Sequence, residues 1–180
     1  MEPRINSDVR RRASKVSFIL LDVDGVLTDG RIVIGSDGHE AREFFVRDGM
    51  GIRIGQESGL TVGLLSGRES AVVTARAAEL GITELHQGVR HKAVRFREIL
   101  ARNGLTPDAV CYMGDDVIDV PVMRLAGLSV APADAAPEAR QAAHYVTERQ
   151  GGRGAVREVM DLVLRAKGMW DGVIERCFRD

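Results

Sequence analysis

Residues 18–30 read Phe-Ile-Leu-Leu-Asp-Val-Asp-Gly-Val-Leu-Thr-Asp-Gly. An apolar run stops at Asp22 and Asp24, whose spacing puts both carboxylates on one side of an extended chain. Unpaired charge is costly to bury, and these two acids repel each other. A bound cation is the simplest way to offset both penalties. The segment therefore reads as a metal-assisted acidic site at the carboxyl end of a strand.

Other apolar runs stop in related ways. Thr61-Val-Gly-Leu-Leu65 is followed by Ser66-Gly67-Arg68, and Val110-Cys-Tyr-Met113 by Gly114-Asp115-Asp116, with Asp119 one helical turn further on. Lys92 lies just inside a helix that follows a short strand at 82–86. Carboxylates, a hydroxyl and an ammonium at one rim suit phosphate chemistry with Mg²⁺, a hard cation that takes carboxylate and carbonyl oxygen. Ser66 and Lys92 would bind phosphoryl oxygens, and the amides of Gly67 and Arg68 open a helix, a natural anion site. One carboxylate can attack phosphorus as a nucleophile. A second can protonate the leaving alkoxide and then activate water.

Each feature alone has a plainer reading. Ser66-Gly67 reads equally as a helix cap, Asp115 and Asp116 as caps, and Lys92, Arg68 and Arg76 as solvated surface charges. Only the joint pattern argues for a site.

The elements that must position these residues follow from periodicity and punctuation. Strands are expected at 16–21, 61–65, 82–86, 110–113 and 128–130, with an edge strand at 145–146. Helices are expected at 48–58, 69–80, 91–103, from after Asp116 to about Ala126, at 137–143 and from about 154 to Ala166. Gly35-Ser-Asp-Gly38 between β-prone arms marks a hairpin within 30–46. Residues 1–15 read as a flexible N-terminal arm. Residues 168–180 read as a C-terminal tail with Trp170, Ile174 and Phe178 at helical spacing. Short continuous apolar strands alternating with helices mean an α/β, Rossmann-like parallel sheet with helices on both faces, occupying 16–167. Such sheets bind ligands beyond the carboxyl ends of their strands.

Composition sets the outer bounds. The chain has 180 residues, 44% hydrophobic and 28% charged, with a formal net charge of −1. That suits one soluble globular domain and offers no basic field for nucleic acid. Aromatic residues at 4% disfavour stacking platforms for single strands. Cys111 and Cys177 have neither a metal spacing nor a disulfide framework, and Cys111 is expected as a buried thiol. No run approaches a membrane span, so the expected compartment is the cytoplasm.

Asp22-Val-Asp24-Gly-Val26, Ser66, Lys92 and Gly114-Asp-Asp-Val-Ile-Asp119 resemble, in order, the four motifs of the haloacid dehalogenase-like phosphohydrolases. Across roughly 17–165 the chain also resembles the 3-deoxy-D-manno-octulosonate 8-phosphate (Kdo 8-phosphate) phosphatase family, through Val46-Arg-Asp-Gly49, Gly51-Ile-Arg53, Gln87-Gly88 and Gly151-Gly-Arg-Gly154. That family forms Kdo for lipopolysaccharide synthesis. The resemblance implies Asp22 as nucleophile and Asp24 as general acid/base. It implies Mg²⁺ on Asp22, Asp115 and the backbone carbonyl of Asp24, with Asp116 and Asp119 as supports. Ser66 and Lys92 would grip the phosphoryl group, and Arg47, Asp48, Gly49, Arg53, Arg68 and Arg76 would face substrate.

The space between Asp24 and Ser66 holds a hairpin and a helix, not a cap domain. The resemblance therefore implies a capless enzyme whose site is closed by assembly as a homotetramer. Hairpins would form its centre, and the glycine-rich 151–154 and the tail would reach a neighbour's site. Several alternatives remain at this point. One is a phosphatase for a nonulosonate 9-phosphate, disfavoured because those enzymes tend to carry Glu where this chain has Arg68. Another is a non-catalytic assembly domain, disfavoured by the intact Asp22 and Asp24. A third is a phospho-accepting receiver, which would need a strand-end Asp between the first acids and Ser66.

Overall fold

The computed structural model describes residues 6–177. Its main sheet has six parallel strands in the order β5-β4-β1-β6-β7-β8. These are β1 (Phe18–Leu21), β4 (Thr61–Leu65), β5 (Glu84–His86), β6 (Val110–Met113), β7 (Leu128–Ala131) and β8 (Tyr145–Val146). The α/β expectation holds. β1 lies at the centre, completely covered, because alternate side chains feed two cores. Ile19 and Leu21 join one, with Val62, Leu64, Val159 and Val163. Phe18 and Leu20 join the other, with Phe96, Ile99 and Tyr112.

Register places the chemistry. Leu21 stands opposite Leu64 of β4 and Met113 of β6. The residues that follow these strands, from Asp22, Leu65-Ser66 and Gly114-Asp115, therefore emerge together. The chain leaves β1 for β4 on one side and later returns to β6 on the other. Asp22 thus sits at the topological switch point, where open α/β sheets bind ligands.

The helices are α1 (Ser7–Ala13), α2 (Val46–Glu57), α3 (Ala71–Glu79), α4 (Lys92–Asn103), α5 (Val120–Met123), α6 (Pro137–Ala142), α7 (Ala155–Ala166) and α8 (Trp170–Cys177). Two expectations need correcting. Residues 7–13 are not a frayed arm. Val9 and Ala13, one turn apart, are buried, Asn6 accepts the Asp8 amide at the start of the helix, and Arg12 donates to the Gly127 carbonyl. The helix expected after Asp116 shrinks to α5, because 116–119 form a turn built around the Asp119 carboxylate. The tail is a helix as far as Cys177, in keeping with the spacing of Trp170 and Ile174, with Val173 buried and Trp170 under the guanidinium groups of Arg157 and Arg165. Phe178 lies outside the described residues.

The hairpin is present but short, with β2 (Val33–Ile34) antiparallel to β3 (Glu40–Ala41). Val33 and Ile34 are 64% and 67% exposed.

Helices α2 and α7 pack closely because α2 presents glycine where they touch. A Cβ on Gly51 would meet the Arg157 Cα at 3.1 Å and its Cδ at 2.9 Å, whereas one on Gly55 would meet the flexible Met160 sulfur at 3.1 Å. Gly51→Val should therefore lower stability by about 2 kcal/mol through overpacking. Gly55→Ala should cost little, because the gain in helix propensity offsets the tight contact. Paired urea melts test this contrast; equal losses would contradict it.

Candidate active site

Lys92 is the first residue of α4, and its side chain is 2% exposed. Its ammonium lies 2.7 Å from Asp22 Oδ2 and 2.7 Å from Asp119 Oδ1. Asp22 Oδ1 accepts the Val23 amide at 2.7 Å. Asp119 is fully buried and serves four donors. Oδ1 takes Lys92 and the Tyr112 hydroxyl at 2.6 Å, while Oδ2 takes the amides of Asp115 and Asp116 at 3.0 and 3.2 Å. Asp119 thus supports Lys92 and shapes the turn that presents Asp115. Gly114 leaves room for it, since a Cβ there would lie 2.4 Å from the Asp119 Cβ.

Oxygens of Asp22, Asp115 and Asp119 all fall within 4.8 Å of one another. Burial is the main cause pushing both Asp22 and Asp115 above the usual carboxylate range, and the Asp119 charge adds to it; Asp115 reaches about 7. Lys92 opposes both shifts and is itself raised by the two acids it touches. Three carboxylates against one ammonium leave two negative charges, matching one divalent cation. The donors are hard oxygens, as Mg²⁺ requires. The residues present therefore fit that ion.

The acid loop is shaped by close backbone approaches. Gly25 has φ +84°, and a Cβ there would fall 2.0 Å from Asp115 Oδ2. Gly151 presses on the opposite side, where a Cβ would fall 1.8 Å from the Gly25 carbonyl oxygen. Gly152 donates its amide to the Val26 carbonyl at 2.9 Å. The glycine-rich segment 151–154, expected to reach a neighbour, packs on its own chain's acid loop.

Ser66 is buried and its hydroxyl accepts the Arg68 amide at 3.2 Å. Asp24 points elsewhere, into a network that sequence reasoning missed. The Arg42 guanidinium donates to both Asp24 oxygens, at 2.7 and 3.2 Å. The same group donates to Ser70 Oγ at 2.5 Å and pairs with Glu40. Arg68 is half exposed and comes within 3.9 Å of Glu40. The only local signal for this network was Glu40-Ala-Arg42, whose spacing places both charges on one side of a strand. Tyr112 was also missed, although a buried tyrosine hydroxyl at a strand end needs a partner.

The remaining expected substrate contacts do not converge here. Asp48 is a correction. It is 1% exposed, and its carboxylate accepts the amides of Gly154 and Arg157 at 3.1 and 2.7 Å, so it caps α7. Gly49 is buried against Arg76. Arg76 pairs with Glu79 and lies over Phe44, and Arg53 donates to the Glu79 carbonyl. Arg47 lines a separate cavity of about 950 Å³ along α7, with Arg149, Arg153 and Arg157. Asp116 is exposed; its amide reaches Asp119, while its carboxylate accepts the Val117 amide.

A haloacid dehalogenase-like hydrolase family model matches residues 65–160. The 3-deoxy-D-manno-octulosonate 8-phosphate phosphatase of Escherichia coli (strain K12) is 48% identical over 93% of this chain and 89% of its own length. The crystal structure of the Yersinia pestis phosphatase of that name, also 48% identical, superposes with TM-score 0.92 over 93% of this chain and 91% of its own. The Moraxella catarrhalis phosphatase of that name, crystallised with magnesium, phosphate and KDO, is 34% identical and superposes with TM-score 0.93. That match covers 96% of this chain and 99% of the other.

The raised carboxylates have a measurable consequence. A group raised on folding contributes stability below its unfolded pKa and loses it as pH rises through the folded value. The metal-free protein should therefore lose stability between about pH 4 and the value near 7 reached by Asp115. A cation selects the ionised forms, so Mg²⁺ should raise the melting temperature more at pH 8 than at pH 5. An equal shift at both would rule out ion binding at these carboxylates.

Proposed function

The chain belongs to the haloacid dehalogenase-like hydrolases, and from that membership we propose a Mg²⁺-dependent phosphatase that converts 3-deoxy-D-manno-octulosonate 8-phosphate to Kdo and phosphate. The observation that carries this reading is the meeting of Asp22, Lys92, Asp115 and Asp119 at the switch point of the sheet, in a chain 48% identical to phosphatases of that name.

Asp22 is the nucleophile. Its Oδ2 is held by Lys92, and its attack on phosphorus gives an aspartyl phosphate and releases the sugar alkoxide. Asp24 protonates that alkoxide and then removes a proton from the water that hydrolyses the intermediate. The Lys92 ammonium has three N–H groups. Two face Asp22 and Asp119, and the third is assigned to a phosphoryl oxygen, beside the Ser66 hydroxyl. Asp22, Asp115 and the Asp24 carbonyl are assigned as Mg²⁺ ligands. Bound there, the ion supplies charge neutralisation for the transferring phosphoryl group.

Arg68, half exposed and 3.9 Å from Glu40 of Asp24's network, is assigned to the substrate carboxylate, which guanidinium pairs well. It also argues against the nonulosonate 9-phosphate alternative. We propose a homotetramer whose neighbours cover the open site. The exposed Val33 and Ile34 of the hairpin support it, as an apolar tip that assembly would bury. The proposed compartment is the cytoplasm, and the free, buried Cys111 suits a reducing environment.

Phosphate release from Kdo 8-phosphate should exceed release from a nonulosonate 9-phosphate and should vanish on chelation of Mg²⁺; the reverse preference would overturn the substrate assignment. Asp22→Asn should lower kcat by about 10³-fold or more, roughly 4 kcal/mol of barrier, with an unchanged circular dichroism spectrum. A folded variant with a near-normal rate would remove Asp22 from the nucleophile's role. In gel filtration the protein should elute near four times its 19.6 kDa chain mass; a monomer would refute the shared site.

A further inference from the structure

Arg42 sits immediately after β3 of the hairpin, and its side chain is 0% exposed. Burying a guanidinium is expensive unless every face of it is paired. Here each of its three nitrogens has a partner. It forks onto both oxygens of Asp24, at 2.7 and 3.2 Å, donates to Ser70 Oγ at 2.5 Å, and meets Glu40. The Ser70 hydroxyl in turn donates to Glu40 Oε1 at 3.0 Å, and its backbone amide donates to the Gln87 side-chain oxygen at 2.9 Å. The acid loop, the hairpin and the start of α3 are thereby joined through one cation. Planar bidentate pairing fixes both the position and the plane of a carboxylate. It uses two of the roughly four lone-pair sites on Asp24, leaving others to exchange a proton.

We propose that Arg42 is the positioning residue for Asp24, setting the direction in which that carboxylate delivers its proton to the leaving oxygen. The inference rests on the phosphatase reading and adds a residue to it. It also gives the hairpin a role in the chemistry: wherever the hairpin is seated, Glu40 and Arg42 on its second arm follow, and Asp24 follows them.

The test exploits leaving-group basicity. A sugar alkoxide needs a proton as it departs, whereas p-nitrophenolate hardly does. kcat/KM reports only the steps through phosphoryl transfer to Asp22, so it isolates that need. General acid catalysis is worth about 10²–10⁴-fold, so Arg42→Ala should lower kcat/KM for the sugar phosphate by about 10²-fold and for p-nitrophenyl phosphate by less than about fivefold. Arg42→Lys, which keeps the charge without the fork, should show the same selective loss in weaker form. It provides the reading if the alanine variant does not fold. On an Asp24→Asn background, Arg42→Ala should add almost nothing, because a residue acting through Asp24 has nothing left to position. Equal losses on both substrates, no loss on either, or full additivity with Asp24→Asn would overturn the proposal. Wild-type release from the sugar phosphate is read separately. If the wild type spares that substrate but hydrolyses other alkyl phosphates, the substrate assignment falls and the same comparison is made on those esters.

Discussion

A single buried ammonium organises the catalytic rim. Lys92 bridges Asp22 and Asp119 at 2.7 Å each, bringing together the end of β1 and the turn after β6. Breaking a buried pair of this kind by removing one partner costs about 3–5 kcal/mol, so the cluster is a structural tie as well as chemistry. It is also incomplete by design of charge. Burial, with the Asp119 charge adding to it, keeps Asp22 and Asp115 above their normal range despite Lys92. The site is thus poised to bind a divalent cation, and its acidity and its metal affinity have one cause.

Around that tie, backbone takes the place of side chains. Asp115 approaches Gly25 where no Cβ exists, and the Gly25 carbonyl approaches Gly151 where that residue too has none. The loop 151–154 is fixed in its turn by Asp48, whose carboxylate caps the start of α7 from within α2. The order of constraint runs from the α2–α7 contact, through the glycine loop, to the acid loop and Asp22. An acid that resemblance assigns to substrate binding serves instead to hold the amides that open α7.

The hairpin enters from the opposite side. Its tip exposes Val33 and Ile34, while its second arm carries Glu40 and Arg42 into contact with Asp24. The two acids of the loop after β1 are therefore anchored by different parts of the fold. Asp22 is held by the sheet and α4, and Asp24 by the hairpin and α3.

The sequence alone determined the parallel α/β class and the residues of the central site, because both leave local signals. Apolar strands that end in Asp22-Val-Asp24, Ser66-Gly67 and Gly114-Asp115-Asp116 break their own burial pattern at the point where the chemistry lies. Helix extent was less legible at α1 and α5. Val9 and Ala13 show their burial only once α7 and β7 are in place, and the turn 116–119 depends on where the Asp119 carboxylate folds back. Tertiary structure alone decided which of the charged residues work together. Arg42, Arg47, Asp48, Arg53 and Arg76 look alike as sequence, since a charged side chain carries no local mark of its partner. For Arg42, Asp48 and Arg53 those partners, Asp24, the amides at the start of α7 and the Glu79 carbonyl, come from elements distant along the chain. Coulomb attraction and desolvation act through space, so only the packing of those elements assigns each charge its role.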